Sequence, residues 1–286
     1  MSLKLTKMHA LGNNYLYLSL FDEKLGESEF PELARAVSNV HTGVGSDGLI
    51  VIQPSQVAAV GMRIFNADGS EAESCGNGLR CVAKYAYDHH YVSAAAFSIE
   101  TRANIVQVVV HGSRGRVVND VTVDMGAAQF GSPAVAYLGD AVDGHFASVE
   151  AGDGTFRGML VSMGNPHFVV QVEDASQYPV AAVGPLLEAH RSFPTRVNVE
   201  FVTPLSEKDL LFRVWERGSG ITEACGTGAC AAVAAGIAQG WLQNEVAVHL
   251  LGGTLQITRA ANGHLLMRGE AVSVFEGEFV APWSRS

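Results

Sequence analysis

Most of the chain alternates apolar with polar residues, a pattern typical of β-strands. Ile105-Val106-Gln107-Val108-Val109-Val110 predicts one strand, and Val117-Val118 and Val121-Thr122-Val123 predict shorter ones after it. We expect a tight turn at Asn119-Asp120, and a hairpin with a type I′ turn at Asn262-Gly263. Strands should therefore dominate the fold.

Helical periodicity is confined to a few segments. Pro31 to Ser38 predicts a short helix that opens with proline, and Leu79 to His89 and Ala229 to Gln239 predict longer ones. The two longer segments have few polar residues on any face, as expected for helices surrounded by sheet. The predicted fold class is α/β, with mixed sheets of the α+β kind.

The chain repeats itself at a spacing of about 150 residues. The block from Met62-Arg63-Ile64-Phe65 to Cys75-Gly76-Asn77-Gly78 matches that from Phe212-Arg213-Val214-Trp215 to Cys225-Gly226-Thr227-Gly228. Upstream of them, Leu11-Gly12-Asn13 and Met163-Gly164-Asn165 form a second matching pair. We therefore predict a duplicated domain whose first half ends near Met125 to Pro133. Each half would contain a strand, a loop, Cys-Gly-x-Gly and a helix.

Composition and charge exclude several classes of protein. The 286 residues are 48% hydrophobic and 17% charged, which fits a two-domain globular chain and excludes general disorder. With a net charge of −10 and no basic run, a nucleic-acid partner is not expected. The uncharged segment Ala224 to Asn244 contains glutamine, asparagine and several glycines, so it predicts a buried helix and no membrane span. The N-terminus carries no signal-peptide pattern, and a cytoplasmic location is expected.

The four cysteines fit neither a disulfide framework nor a metal site. They are too few for a disulfide-rich scaffold of this size, and their spacings differ from those of zinc sites. Cys81 and Cys230 fall within the predicted helices and are interpreted as small core residues. Cys75 and Cys225 each precede Gly-x-Gly at a predicted helix N-terminus, where the helix dipole lowers the pKa of a thiol. The exposed N–H groups there suit a carboxylate.

Two such thiols in facing halves predict racemisation or epimerisation. One cysteine as thiolate would remove an α-proton, and the other as thiol would deliver a proton to the opposite face. The pair would titrate as a coupled unit. One Cys-Gly-x-Gly by itself would indicate a plain helix entry equally well, and the duplication favours the chemical interpretation.

Several longer motifs resemble the diaminopimelate epimerase family. They occur in the family's order and extend from residue 7 to about residue 253. The motifs are Lys7-Met8-His9-Ala10-Leu11-Gly12-Asn13, Phe65-Asn66-Ala67-Asp68-Gly69-Ser70, Cys75-Gly76-Asn77-Gly78-Leu79-Arg80-Cys81, Ser162-Met163-Gly164-Asn165-Pro166-His167, Glu216-Arg217-Gly218 and Ala224-Cys225-Gly226-Thr227-Gly228-Ala229-Cys230.

The resemblance implies an isomerase that needs no cofactor, neither pyridoxal phosphate nor a metal. It would interconvert LL- and meso-diaminopimelate in lysine and peptidoglycan biosynthesis, as a homodimer. The implied fold has two pseudo-symmetric domains, each a mixed sheet wrapped around a central helix, with the active site in the cleft between them. The last strand would return to the first domain, which gives an N-terminal half of residues 1–126 plus 274–286 and a C-terminal half of 127–273.

Residue roles also follow from the resemblance. Cys75 and Cys225 match the catalytic pair, and Arg217 matches the cation that binds the distal carboxylate. His167 and Glu216 match residues that orient the reacting end and its amino group. The helix starts that hold the α-carboxylate match Gly76, Asn77, Gly226 and Thr227. The polar groups that bind chiefly the distal end match Asn13, Asn66, Asn165 and Asn198.

Plainer interpretations exist for some of these residues. Asn13 and Asn165 follow glycine as turn residues do, Asn198 could face solvent, and His167 could be an ordinary core histidine. Their place within matching motifs favours the functional interpretation. One departure concerns Gly48, which stands where some family members carry a glutamine that reaches the ligand. Because other members also have glycine there, no side-chain role is predicted for Gly48.

Four other interpretations share part of this pattern. Proline racemases and hydroxyproline epimerases use paired cysteines on the same fold, but a proline ring lacks the second polar end that Asn66, Asn165 and Arg217 suit. The phenazine-synthesis branch replaces both cysteines, which this chain keeps. A carboxylate-binding module with inert cysteines predicts no exchange of the α-hydrogen. A redox sensor is the last alternative, and we expect a disulfide between the cysteines to be a reversible, inactive form.

Overall fold

The chain divides into two compact units. The computed structural model describes residues 2–72, 76–113, 117–139, 141–142 and 144–280. Unit 1 comprises Met1–Val123 and Gly269–Ser286, and unit 2 comprises Asp124–Arg268. The boundaries predicted from the sequence, after residues 126 and 273, lie a few residues beyond these. The origin of the two halves by duplication of one domain remains a prediction.

Unit 1 is a mixed sheet against which two helices pack. Its strands and helices, of which β8 continues into unit 2, are β1 (Ser2–Ala10), β2 (Asn13–Ser19), α1 (Phe30–Ser38), β3 (Gly48–Gln53), β4 (Val60–Asn66), β5 (Glu71–Ala72), α2 (Gly76–Asp88), β6 (Ala96–Glu100), β7 (Ile105–Ser113), β8 (Val117–Ala127) and β20 (Val272–Val280).

Parallel and antiparallel strand pairs alternate within the sheet of unit 1. β2 runs parallel to β3, β3 antiparallel to β4, and β4 parallel to β6. Helix α1 packs Phe30, Leu33 and Val37 against a core on one face of the sheet. Helix α2 contacts β1 and β7. The C-terminal strand β20 pairs with β1 along its whole length, with Ser2 opposite Val280.

Unit 2 repeats this plan. Its remaining elements are β9 (Gln129–Phe130), β10 (Ala141–Val142), β11 (Phe146–Ala151), β12 (Gly154–Ser162), β13 (Pro166–Gln171), α3 (Val180–Glu188), β14 (Asn198–Ser206), β15 (Asp209–Glu216), β16 (Gly220–Ile221), α4 (Gly226–Ala238), β17 (Glu245–His249), β18 (Thr254–Arg259) and β19 (His264–Glu270), the last of which ends in unit 1.

The strand pairs of unit 2 follow the same order as those of unit 1. β13 runs parallel to β14, β14 antiparallel to β15, and β15 parallel to β17. Helix α3 packs on one face of β14 and β15, while α4 contacts β12, β13, β14, β15 and β18. The predicted fold class, mixed sheets around a central helix, is therefore confirmed.

Helix α4 accounts for the uncharged segment Ala224 to Asn244. Most of its residues are buried, from Gly226 to Gly236 with the exception of Thr227. Both central helices also start earlier than periodicity predicts, at Gly76 and Gly226, directly after a cysteine in each case. None of the described helices combines the length and the apolar character required to cross a membrane.

Two turn predictions need correction. Asn119 and Asp120 lie inside β8, where Asp120 pairs with His111 and the register shifts before Gly112. The extra residue is accommodated as a β-bulge, so no turn forms there. The hairpin between β18 and β19 lies where predicted, but its turn type was wrong. Gly263 has a φ of 86° and Asn262 does not have a positive φ, whereas type I′ requires positive φ at both central residues.

Candidate active site

The N-terminus of α4 places the Cys225 thiol in a closed polar environment. Cys225 is the N-cap residue, with extended backbone angles of φ −112° and ψ 104°. Its side chain is a free thiol and the residue is 4% exposed. The backbone N–H groups of the first helical turn lack partners within the helix, so they can hold an anion next to this sulfur.

A line of hydrogen bonds runs from this sulfur into the sheet. Thr227 Oγ1 lies 3.6 Å from Cys225 Sγ and accepts a hydrogen bond of 3.2 Å from Asn165 Nδ2. Asn165 Oδ1 lies 2.9 Å from His167 Nε2. The other ring nitrogen, His167 Nδ1, lies 2.6 Å from Glu200 Oε1. Three residues predicted for the site, Asn165, His167 and Thr227, therefore form one connected group with Cys225.

Glu216 approaches the same thiol from the end of β15. Its Oε1 accepts a hydrogen bond from the Thr222 hydroxyl, and the Cys225 thiol interacts with its carboxylate. Burial is the main cause that raises the pKa of Glu216, and the nearby Glu200 adds to it. A carboxylate in such a setting can accept a proton or bind an ammonium group.

The pKa of Cys225 differs from the sequence prediction in direction. A helix N-terminus by itself lowers a thiol pKa. Here burial raises the pKa of Cys225 well above its ordinary value, and the negative charges of Glu216 and Glu200 raise it further. Hydrogen bonds with Thr227 and the Gly228 backbone act in the opposite direction and are outweighed. At neutral pH this cysteine is a thiol, which is the form that delivers a proton.

This raised pKa predicts a pH-dependent stability. Above about pH 8.5 the unfolded chain loses the Cys225 proton while the folded chain retains it, so stability falls as pH rises. The slope should approach about 1.4 kcal/mol per pH unit until the folded pKa is reached. Chemical denaturation at several pH values should show a shallower decline for Cys225→Ser. Equal slopes for this variant and the wild type would contradict the prediction.

Asn198 and Arg217 lie at the edge of this group. Asn198 is 4% exposed, donates to the Pro166 carbonyl at 2.9 Å and accepts from the Arg217 backbone N–H at 2.9 Å. It therefore does not face solvent, and it fixes the start of the turn after β15. The Arg217 side chain is exposed, and its Nη1 donates to the Thr195 carbonyl at 3.1 Å. The remaining guanidinium donors can take a carboxylate.

In unit 1, Asn13 and Asn66 lie at the same end of the sheet. Asp47 joins them, because its Oδ2 accepts from Asn13 Nδ2 at 2.9 Å and its carbonyl accepts from the Ala67 N–H at 3.1 Å. Asn66 donates from Nδ2 to Ser70 Oγ at 2.9 Å. The structure thus brings together two of the predicted polar residues of this half.

Asn77 is held by the interior of unit 1. It is 6% exposed, and its Oδ1 accepts from Arg80 Nη2 at 3.0 Å. Arg80 is fully buried and also donates from Nε to the Glu270 carbonyl at 3.1 Å. Gly76 begins α2. The predicted catalytic residue before it, Cys75, lies outside the described residues.

The backbone at Gly48 leaves no room for a side chain. A Cβ there would lie 2.1 Å from the Phe65 carbonyl oxygen and 2.9 Å from Tyr15 Cε1. This close approach gives a steric reason for glycine at this position.

Gly228 packs directly against the Cys225 site. A Cβ there would lie 2.8 Å from Glu200 Oε1 and 3.1 Å from Cys225 Sγ. We expect Gly228→Ala to displace these groups and to lower kcat/KM about 100-fold, with about 1–3 kcal/mol of lost stability.

Gly236 provides the matched control on the same helix. A Cβ there would lie 2.4 Å from Leu242 Cδ1, far along α4 from the thiol. Gly236→Ala should lose stability in thermal unfolding while its kcat/KM stays near that of the wild type. Equal losses of kcat/KM in both variants would show that Gly228 serves packing alone.

Three residues that support the predicted ones were not predicted from the sequence. Asp47 orients Asn13, Arg80 orients Asn77, and Glu200 orients His167. Arg80 lay within a quoted motif, three residues after Asn77, and Asp47 directly precedes Gly48. Glu200 had a signal as well, since it is two residues from Asn198 on a strand and therefore shares its face.

Comparisons with known proteins identify close relatives. A family model described as diaminopimelate epimerase matches residues 5–131 and 159–274. A diaminopimelate epimerase of Bacillus pumilus (strain SAFR-032) is 50% identical over 281 residues, covering 97% of this chain and 99% of that protein. One of Geobacillus kaustophilus (strain HTA426) is also 50% identical, with 97% of each chain covered.

Solved structures share the fold at low identity. A hydroxyproline epimerase from Agrobacterium vitis, with bound trans-4-hydroxy-L-proline, has a TM-score of 0.67 and 16% identity, covering 97% of this chain and 92% of its own. A probable proline racemase from Agrobacterium radiobacter K84 has a TM-score of 0.70 and 15% identity, covering 98% and 93%. At these identities the likeness concerns the fold alone.

Proposed function

The chain belongs to the diaminopimelate epimerase family of enzymes, and from this premise we propose that it interconverts LL- and meso-diaminopimelate by proton transfer between two cysteines. The observation that carries the proposal is the arrangement around Cys225. A buried thiol at a helix N-terminus lies within a connected group of polar side chains that the family motifs contribute. A core cysteine would need no such surroundings.

The proposed reaction balances without a cofactor. For one stereoisomer, the thiolate of one cysteine takes the α-proton, and the electron pair of the C–H bond remains on the α-carbon. The thiol of the other cysteine then gives its proton to the opposite face of that carbon. The product has inverted configuration, and the two cysteines have exchanged protonation states, so the reverse reaction uses the same groups in opposite roles.

The free-state pKa of Cys225 supports an acid role in one direction. Burial and two carboxylates favour the thiol, so Cys225 is ready to donate a proton. An ammonium group bound at Glu216 would neutralise part of this negative field and make the thiolate more accessible. Substrate binding would therefore prepare the same residue for the base role.

The α-carboxylate is proposed to lie at the helix starts. Gly226 and Thr227 present backbone N–H groups at the N-terminus of α4, and Gly76 and Asn77 do the same at α2. These donors hold the carboxylate and stabilise the charge that develops when the α-carbon loses its proton.

The distal end of the substrate is assigned to Arg217 and the asparagines. The exposed guanidinium of Arg217 would pair with the distal carboxylate, and Asn198 fixes the Arg217 backbone. Asn13, Asn66 and Asn165 complete the polar groups proposed for the substrate. The resemblance to the family also supports the wider proposals of a homodimer, a cytoplasmic location and a place in lysine and peptidoglycan biosynthesis.

Substrate conversion by the purified protein tests the proposed activity. We expect LL-diaminopimelate to yield meso-diaminopimelate without added cofactor, measured by chromatographic separation of the isomers. L-proline and trans-4-hydroxy-L-proline serve as controls because the structural neighbours share the fold. Inversion of either control with diaminopimelate unchanged would overturn the substrate assignment, and binding of diaminopimelate without inversion would favour a carboxylate-binding module.

A further inference from the structure

Unit 2 contains a buried carboxylate that none of the sequence motifs assigns to the site. Glu200 on β14 is 0% exposed. Its Oε1 lies 2.6 Å from His167 Nδ1, while its Oε2 has no hydrogen-bond partner among the described residues. A buried charge with an unsatisfied oxygen is costly, and a well-packed apolar residue in its place is often no less stable. The position of Glu200 therefore needs an explanation other than stability.

The hydrogen bonds of Glu200 lead to the catalytic thiol. Glu200 holds one nitrogen of the His167 ring, and the ring holds the Asn165 amide through its other nitrogen. The amide in turn holds the Thr227 hydroxyl, 3.6 Å from Cys225 Sγ. Each of these side chains has its orientation set by the one before it, and Glu200 is the first.

Glu200 also comes close to Cys225 through space. Both border the missing side chain of Gly228, where a Cβ would lie 2.8 Å from Glu200 Oε1 and 3.1 Å from Cys225 Sγ. The glycine lets the first turn of α4 approach the carboxylate this closely. Proximity therefore couples the charge of Glu200 to the protonation of the thiol.

The titratable groups around Cys225 come from three adjacent strands. They are His167 on β13, Glu200 on β14 and Glu216 on β15, and the described first turn of α4 adds no acidic residue. After burial, Glu216 and then Glu200 raise the pKa of the thiol. Glu216 has the proposed substrate ammonium as a counter-charge, whereas Glu200 already pairs with His167.

We propose that Glu200 is a positioning residue for Cys225: it orients His167, Asn165 and Thr227 beside the sulfur, and its carboxylate lies close enough to the thiol for its charge to influence proton transfer there. The proposal deepens the proposed function and rests on Cys225 as a proton-transfer group. No hydrogen bond between Glu200 and Cys225 is found among the described residues, so Glu200 acts through the side chains between them and through its charge.

Two substitutions separate the effect of the Glu200 charge from the effect of its side-chain length. Glu200→Gln keeps the length of the side chain and removes the charge, while Glu200→Asp keeps the charge and withdraws it from His167. The direct readout is the pH titration of cysteine 13Cβ resonances by NMR, with the Cys225 signal assigned by its absence in Cys225→Ser. This measurement needs no substrate, so it stands apart from any failure of the diaminopimelate assignment.

The expected results differ between the variants. In Glu200→Gln the Cys225 midpoint should fall by about one pH unit or more, and in Glu200→Asp it should stay near that of the wild type. Both variants should lose kcat about 10- to 100-fold. Phe201→Leu on the same strand controls for destabilisation, since it alters the apolar core on the opposite face and should leave the midpoint unchanged.

The outcomes that overturn the proposal are equally specific. If the Cys225 titration in Glu200→Gln coincides with that of the wild type over the pH range in which both are folded, the Glu200 charge does not influence the thiol. Wild-type kcat in a folded Glu200→Asp would remove the orienting role. A midpoint shift in Phe201→Leu as large as that in Glu200→Gln would show that any disturbance of β14 has the same effect.

Discussion

Cys225→Ala is expected to lower the rate of epimerisation about 10³-fold. The variant lacks the group that exchanges a proton with one face of the α-carbon, and no other described thiol lies at that helix start. Cys75 should still remove the α-proton from the stereoisomer whose α-proton faces it. That isomer should therefore exchange its α-hydrogen with D2O without inversion. Chromatographic separation of the isomers combined with mass spectrometry measures both processes.

Cys230→Ala is the matched control for this variant. Cys230 lies on the same helix, is fully buried and belongs to the core. We expect it to keep epimerisation near the wild-type rate with some loss of stability. Epimerisation by a folded Cys225→Ala at the wild-type rate would remove Cys225 from the reaction. Equal inactivity of both variants would point to disruption of α4 in general.

Arg217→Ala is expected to reduce kcat/KM for diaminopimelate about 100-fold, because charge-assisted hydrogen bonds to a carboxylate contribute roughly 1.5–3 kcal/mol each. Arg217→Lys should recover part of this loss, since it keeps the charge but not the planar fork. Initial-rate kinetics across substrate concentrations give the values.

Arg213→Ala tests whether any arginine of this region has the same effect. Arg213 belongs to β15 and donates from Nη1 to the Phe212 carbonyl at 2.6 Å, and it has no part in the proposed substrate contacts. Its removal should affect stability more than kcat/KM. If Arg217→Ala keeps wild-type kcat/KM, the distal carboxylate is bound elsewhere.

Local sequence signals predicted the central helices and much of the site. The repeat placed Cys225 at the start of α4, where the structure has it. The motifs selected Asn165, His167 and Thr227, which the structure joins by hydrogen bonds. Such features depend on residues close in sequence or on motifs that travel together, and a single sequence contains both.

Features that depend on tertiary burial were harder to predict. Alternation along β14 suggested that Asn198 could face solvent and gave Glu200 no role. Both are buried because α3 covers one face of the sheet and α4 the other. The same burial reversed the predicted direction of the Cys225 pKa. Desolvation depends on what packs around a group, and the sequence pattern of one helix start does not contain that information.

The turn at Asn119-Asp120 failed for a related reason. Asparagine followed by aspartate is a common turn pattern, but the partner strand β7 holds Asp120 opposite His111 and absorbs Asn119 as a bulge. Strand pairing over many residues outweighed the local preference. The resemblance of whole motifs, by contrast, is insensitive to such local errors.

The most direct test of two-cysteine proton transfer is the fate of deuterium in the first few per cent of conversion. LL-diaminopimelate is incubated with the reduced enzyme in D2O. Substrate and product are then separated, and the deuterium content of each is measured by mass spectrometry. The account predicts one deuterium at the inverted α-carbon of the meso product and almost none in the recovered LL substrate. Deuterium entering the recovered substrate as fast as the product, or a product that retains the original proton, would indicate one base acting on both faces and contradict it.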